Sequence, residues 1–242
     1  MNRRYFLGCA GLAAAADRIR VAVMGVRGRG SRLAGEFSRQ PEVEVVYLCD
    51  PDAGVFGRAL KAVEETGKPR PAMISDFRRA LDDKTIDALV IATPDHWHAP
   101  AAILACEAGK DVYVEKPASH NLREGRLMVE AARRHGRIVQ HGTQARSDAG
   151  VRQAIDYVHA GKLGKVLMAK AWNVQLRQNI GRKADSPAPA GVDFELWTGP
   201  APMLPFNENR YHYRWHWHWN FGTGDIGNDG AHQIDLARWA LG

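Results

Sequence analysis

The chain has little cysteine. Three residues in 242, Cys9, Cys49 and Cys106, show no metal-like spacing and no disulfide framework, and Cys49 lies within an apolar run. Long hydrophobic runs are also missing. The apolar stretch 5–16 is well short of the roughly 20 residues a membrane-crossing helix needs, so no integral membrane protein is expected. The formal net charge is +6, but the arginines are spread along helical segments and glycine turns, and no basic tract marks a nucleic-acid partner. No internal repeat or low-complexity segment is found. What is present, 45% hydrophobic and 25% charged residues, describes a soluble globular chain long enough for one large domain or one and a half.

The first residues read Asn2-Arg3-Arg4-Tyr5-Phe6-Leu7-Gly8 and run into an alanine-rich stretch ending at Ala16. This resembles a twin-arginine export signal with cleavage before Asp17, which predicts a periplasmic or otherwise exported protein. A strand starting near Ile19 leaves almost no linker, so a frayed N-terminal segment of a cytoplasmic protein is the alternative.

From Ile19 onward, β-rich runs at 19–24, 43–49, 88–92, 112–114 and 138–140 alternate with helical patterns. That alternation predicts parallel βαβ units, hence an α/β fold with a doubly wound parallel sheet covered on both sides. Leu33, Ala34 and Phe37 share one helical face, and Asn121 with Glu124 begins a helix that Gly136 stops. Past Gln144 the texture changes, and the boundary is placed near Arg146: 1–16 signal, 17–145 dinucleotide-binding domain, 146–242 second domain. That second part shows a helix at about 148–160, a β-like run 166–176, an irregular stretch rich in proline, glycine and aromatics, and a helix at 231–241. One β-like run and two helices cannot bury both faces of a sheet. The second domain therefore reads as begun and unfinished, in a fragment or a chain that another completes.

The turn Gly25-Val26-Arg27-Gly28-Arg29-Gly30 follows an apolar strand and opens a helix, the context in which glycines cradle a diphosphate. The middle glycine of the strict pattern is replaced by Arg27, with Gly28 beside it. Arg27 or Arg29 and the helix amino end would attract a diphosphate. Asp50, 25 positions after Gly25, suits ribose hydroxyls and repels a 2′-phosphate, favouring NAD over NADP; capping of the next helix is its other reading. Thr93-Pro94-Asp95-His96-Trp97-His98 ends another strand at the same crevice edge. His96/His98 and His216/His218 have His-X-His spacing, but no cysteine joins them and tryptophans surround them, so no metal is expected. The tract 214–219 reads as aromatics around a sugar pocket, or as core or interface packing. Lys116, between Glu115 and Pro117 after a strand, would project into the crevice. His232 sits in the first turn of the last helix, where histidine can serve as a general base.

Together the glycine turn, Thr93-Pro94 with His98, Gly109-Lys110-Asp111-Val112-Tyr113-Val114-Glu115-Lys116-Pro117 and Gly230-Ala231-His232-Gln233-Ile234-Asp235 resemble the glucose-fructose oxidoreductase / inositol dehydrogenase / rhizopine-catabolism family, Gfo/Idh/MocA. The resemblance runs from Ile19 to Gly242. It implies a Rossmann domain followed by an α/β domain with an open, mostly antiparallel sheet, of which this chain holds the beginning. It assigns Lys116 to the reacting hydroxyl and His232 to the proton that leaves it. Cofactor contacts are accordingly expected at Gly25, Arg27, Gly28, Arg29, Gly30, Asp50, Thr93, Pro94, His98, Glu115 and Lys116, and substrate contacts at Arg146, Trp172 and His232. Family members often carry aspartate four positions before the histidine, where this chain has Asn228, with Asp225 and Asp229 as neighbouring substitutes. Twin-arginine signals occur in the family, and an oligomer through the second domain's sheet is expected where that domain is whole.

The expected function is hydride transfer between a nicotinamide cofactor, NAD in preference to NADP, and a carbinol carbon of a sugar, polyol or sugar derivative. One rival is a glycosidase that oxidises its sugar transiently and uses NAD catalytically. The other is a truncated or noncatalytic dinucleotide-binding module.

Overall fold

Alternation of small apolar side chains along each strand splits the core between two faces of one sheet, because successive residues of a strand point to opposite sides. In β1 (Ile19–Met24), Val21 and Val23 pack on one face and Ala22 and Met24 on the other. In β4 (Ala88–Ile91), Val90 joins the first face, and Leu89 and Ile91 the second. Two covered faces require helices on both sides. Helices α1 (Arg29–Ser38) and α2 (Phe56–Glu64) cover the first with Leu33, Ala34, Phe56, Ala59, Leu60 and Val63. Helices α3 (Arg78–Asp82), α4 (His98–Glu107) and α5 (Leu122–His135) cover the second.

The computed structural model describes residues 18–242; the twin-arginine stretch and Cys9 lie outside the described residues. The remaining strands are β2 (Val43–Cys49), β3 (Ala72–Ile74), β5 (Asp111–Glu115) and β6 (Val139–Gly142). All six pair in parallel in the order β3-β2-β1-β4-β5-β6. The order reverses between β1 and β4, where a doubly wound sheet opens a crevice at its carboxyl edge. The start of α5 is fixed as the sequence suggests: Asn121 accepts from the Glu124 amide at 3.0 Å and its own amide donates to the Glu124 carboxylate at 2.7 Å. At its end Gly136 takes φ +60°.

One strand was missed and one expectation fails here. Strand β3 was not foreseen: it is a three-residue edge strand with two exposed positions, too short to show alternation. The β-like run 166–176 is not a strand, and no strand follows β6 among the described residues, so the open antiparallel sheet is not found. A strand's backbone groups need a neighbour, and Leu167, Trp172, Val174 and Leu176 instead remain exposed.

Beyond β6 come α6 (Ala149–His159), capped by Asp148, then α7 (Phe194–Thr198) and α8 (Ala231–Leu241). Trp197, Phe206, Tyr211 and Phe221 form a third, smaller core. It is tied to the sheet domain through the Trp197 carbonyl, which lies 3.1 Å from both His96 Nε2 and Trp97 Nε1. No described helix is long and apolar enough to cross a membrane.

Candidate active site

A cavity of about 770 Å³ opens along the carboxyl ends of β1, β2, β4 and β5, within the range typical of small-molecule sites. Gly25, just after β1, has φ +80°, and a Cβ there would stand 2.7 Å from the Ala92 carbonyl oxygen. A Cβ on Gly30 would overlap the Gly25 carbonyl, so this glycine lets helix and turn touch. Gly28 has nothing within 4 Å of a built Cβ and lines the cavity. Ser31 holds the turn by donating to the Val26 and Arg27 carbonyls. Helix α1 begins without a side-chain cap or an acidic first turn, leaving its amides and dipole to the cavity. Close backbone, uncapped amides and a positive helix end are what a dinucleotide's diphosphate requires, and the residues present fit it.

Asp50 accepts from the Val26 amide at 2.9 Å and the Asp52 amide at 3.0 Å, and burial lifts its pKa to about 6. It therefore pins the glycine turn as well as lining the cavity. Arg27 lies exposed on the cavity lining. Arg29 turns to Glu115, with Nε 2.7 Å from the carboxylate, so its charge is paired there and Arg27 is left as the exposed cation of the turn. Glu115 is 3% exposed and is held by that bond. Thr93 and Pro94 line the cavity as a short extended loop, and His98 braces it with Nε2 2.9 Å from the Thr93 carbonyl and Nδ1 facing the Pro117 carbonyl. His96 and His98 thus serve different partners and share no ligand position.

Lys116 reaches from the end of β5 into the cavity, and its Nζ donates to the Asn228 carbonyl at 2.7 Å and to Asn228 Oδ1 at 2.9 Å. Both acceptors come from a π-helical turn, Ile226–Gly230, that runs into α8 and leaves that carbonyl available. Burial lowers the lysine's pKa, and the nearby Asp95, Glu115 and Asp229 carboxylates act against it. His232, one turn later, lines the same cavity; burial first and then the Lys116 charge lower its pKa. Asp225 and Asp229, the substitutes for a carboxylate at position 228, are both taken by Arg177, which lies 3.0 Å from Asp225 and also pairs with Asp229.

Two residues expected to contact substrate lie outside the cavity lining. Arg146 forms a two-pronged pair with Asp235, 2.8 and 2.9 Å, and does not line the cavity. Trp172 is 66% exposed on the unpaired segment, outside the cavity lining. The structure adds Asp95, Gln144, Tyr211, His212, Tyr213, Trp215 and His216 to that lining. Asp95, 3% exposed, accepts from the Thr223 hydroxyl at 2.7 Å and its amide at 3.1 Å, joining the crevice loop to the segment that carries Asn228 and His232. The signal for the aromatic wall was the tract 214–219, of which Trp215 and His216 face the cavity.

Two family models match the chain: the oxidoreductase family's NAD-binding Rossmann fold over residues 19–143, and that family's C-terminal alpha/beta domain over residues 156–242. The chain belongs to the Gfo/Idh/MocA oxidoreductase family. Its sheet domain is therefore an NAD-binding Rossmann domain. Among its curated relatives is a "glycosyl hydrolase family 109 protein" of Saccharopolyspora erythraea, 34% identical over 175 residues, covering 69% of this chain and 38% of that protein. A "glycosyl hydrolase family 109 protein 2" of Shewanella sp. (strain ANA-3) is 33% identical over 181 residues, 70% of this chain and 39% of its own. The chain spans about two fifths of the length of these relatives. Among solved structures, the WlbA dehydrogenase of Bordetella pertussis in complex with NADH and UDP-GlcNAcA is 25% identical with a TM-score of 0.66, covering 93% of this chain and 59% of that one. A myo-inositol 2-dehydrogenase of Lactobacillus plantarum is 28% identical with a TM-score of 0.54, covering 62% and 43%.

Proposed function

We propose that this Gfo/Idh/MocA chain belongs to an NAD-dependent oxidoreductase acting on a carbinol carbon of a sugar, polyol or sugar derivative. The observation that carries the reading is the meeting of Lys116, Asn228 and His232 in the cavity that the glycine turn opens. Bound NAD supplies the hydride acceptor. The Lys116 ammonium donates to the substrate hydroxyl oxygen and stabilises the alkoxide that develops there. His232, kept neutral by its lowered pKa, takes the hydroxyl proton on an imidazole nitrogen, which requires an approach of about 3 Å. Asn228 accepts from Lys116 and fixes its direction; an amide takes no proton, so His232 is the proton's exit. Asp50 favours NAD over NADP by opposing a 2′-phosphate. A carbohydrate is supported by the aromatic and histidine wall of Tyr213, Trp215 and His216, and by the UDP-GlcNAcA and myo-inositol named for the solved relatives.

The names of the curated relatives favour a second reading, a glycosidase. Oxidation of a ring hydroxyl to a ketone acidifies the adjacent C–H; loss of that proton expels the glycosidic oxygen as an alcohol. Water then adds to the resulting enone and the hydride returns to the carbonyl, so cofactor and sugar end at their starting oxidation states. Release of the alcohol without net NADH selects this reading, and accumulation of NADH selects the first. For either, Lys116→Ala abolishes turnover while NAD binding, followed by NADH fluorescence, is kept; turnover at the parent rate refutes the site. The proposal extends to an exported protein with residues 1–16 as its twin-arginine signal, which the compartment of the mature protein decides. It also extends to a division into 17–145 and 146–242, with a homo-oligomer formed through the second domain's sheet where that domain is whole.

A further inference from the structure

The loop that follows β2 is gripped by the second half of the chain. The Ala53 amide donates to the Gly191 carbonyl at 3.0 Å and the Asp193 amide to the Pro51 carbonyl at 2.9 Å, with Asp52 and Val192 forming an isolated antiparallel bridge. Asp52 is 9% exposed; its carboxylate accepts from the Gly54 amide at 2.8 Å and from the Tyr211 hydroxyl at 3.2 Å. Tyr211 belongs to the aromatic core with Trp197, Phe206 and Phe221, so the grip is anchored in packed rings rather than in a loose loop.

His212 is placed by the same contacts. Among the described residues it is the one non-glycine with positive φ, +52°. Such a conformation in a residue with a full side chain persists where its surroundings over-determine it, and it clusters at ligand sites. Here the ring centroid lies 4.0 Å from that of Tyr211 and Nε2 lies 3.7 Å from the Asp52 carboxylate. The imidazole lines the dinucleotide cavity together with Arg27, Gly28, Asp50 and Arg58, at the end away from Lys116 where β2 and the glycine turn meet. None of these contacts is needed to place Lys116 or His232.

We propose that His212 is a cofactor-binding residue supplied by the second half of the chain, closing the diphosphate and ribose end of the cleft as an N–H donor beside Arg27. Dissociation of the dinucleotide then requires the 211–213 turn to part from the loop after β2. The inference rests on the NAD reading above.

The test is NADH release from the purified full chain, read as loss of NADH fluorescence after mixing with excess NAD. His212→Gly accepts the positive φ and removes only the ring, so its melting temperature stays at or above the parent's. It should release NADH about tenfold faster, a change of about 1.4 kcal/mol. Tyr211→Phe, which removes the hydroxyl bond to Asp52, should release several-fold faster, and Leu176→Ala, exposed and outside the cavity lining, at the parent rate. Release from His212→Gly at the parent rate overturns the inference; absence of NADH binding by the parent itself overturns the NAD reading instead. Should glycine lower the melting temperature, His212→Asn repeats the measurement, because asparagine also tolerates the left-handed region.

Discussion

Alanine placed at Gly28 and at Gly30 should separate cofactor binding from folding. At Gly30 the new Cβ overlaps the Gly25 carbonyl oxygen, a backbone atom that cannot rotate away. Overpacking of this kind costs about 1–3 kcal/mol, and backbone overlap puts Gly30→Ala near the upper end, about 3 kcal/mol. With roughly 2–4 °C of melting temperature per kcal/mol in a chain of this size, the drop is about 6–12 °C. Gly28 has φ −82°, which alanine adopts freely, and no atom within 4 Å of the built Cβ. Gly28→Ala should therefore melt within about 2 °C of the parent, since substitutions free of such conflicts stay within about 0.5 kcal/mol. That same open space faces the cavity, where a diphosphate needs close backbone. Its NADH affinity should fall about tenfold or more, equivalent to about 1.4 kcal/mol. Melting curves without ligand, followed by fluorescence titration with NADH, read both quantities. A Gly28→Ala protein with parent affinity, or a Gly30→Ala protein melting with the parent, refutes this division of roles.

The pH profile of kcat/KM should be bounded by His232 and Lys116. His232 acts as a base only when neutral, and its pKa lies below the ordinary 6.5, so activity falls as pH drops through that lowered value. Lys116 donates only as an ammonium, and its pKa lies below 10.5, so activity falls again as pH rises through it. Asn228→Asp puts a carboxylate where an amide oxygen now accepts from Nζ at 2.9 Å, which raises the lysine pKa and moves the alkaline limb upward; an unmoved limb rules out Lys116 as its source. Asp50, lifted to about 6, carries its charge above that pH and loses it below. Preference for NADH over NADPH should accordingly shrink between about pH 8 and pH 5, and a constant ratio in paired titrations would remove Asp50 from the ribose.

Asn228 and Arg177 together explain how the site keeps its cation directed without a carboxylate at position 228. Arg177 draws Asp225 and Asp229 to the extended segment and stands 5.5 Å over the Trp217 ring, which holds the π-helical turn from its far side. The turn then offers Lys116 two neutral oxygens from one residue. Neutral acceptors orient an ammonium without raising its pKa as a carboxylate would, which suits the role proposed for Lys116 at a substrate hydroxyl.

The sheet and its helices were legible because their signals are local. Val21 and Val23 against Ala22 and Met24 define two faces by alternation alone, Asn121 and Glu124 mark a helix start by spacing, and Gly25 marks a turn that only a residue without Cβ can make. The same logic placed Lys116 at a strand's carboxyl end, where a crevice lies in any doubly wound sheet, while His232 was matched to it through the family motif at the start of the last helix. It misled at 166–176, where apolar residues at strand-like spacing meet no neighbouring strand, and at β3, whose three residues are too few to show a period. Partner choice across the chain was beyond its reach. Arg146 closes on Asp235 and Asp95 on Thr223, while the Lys116 ammonium finds both Asn228 oxygens, across separations of 89, 128 and 112 residues. Periodicity records which side of a strand or helix a residue occupies. Which distant group meets it there depends on the path of the whole chain, and the three-dimensional fold alone decided that.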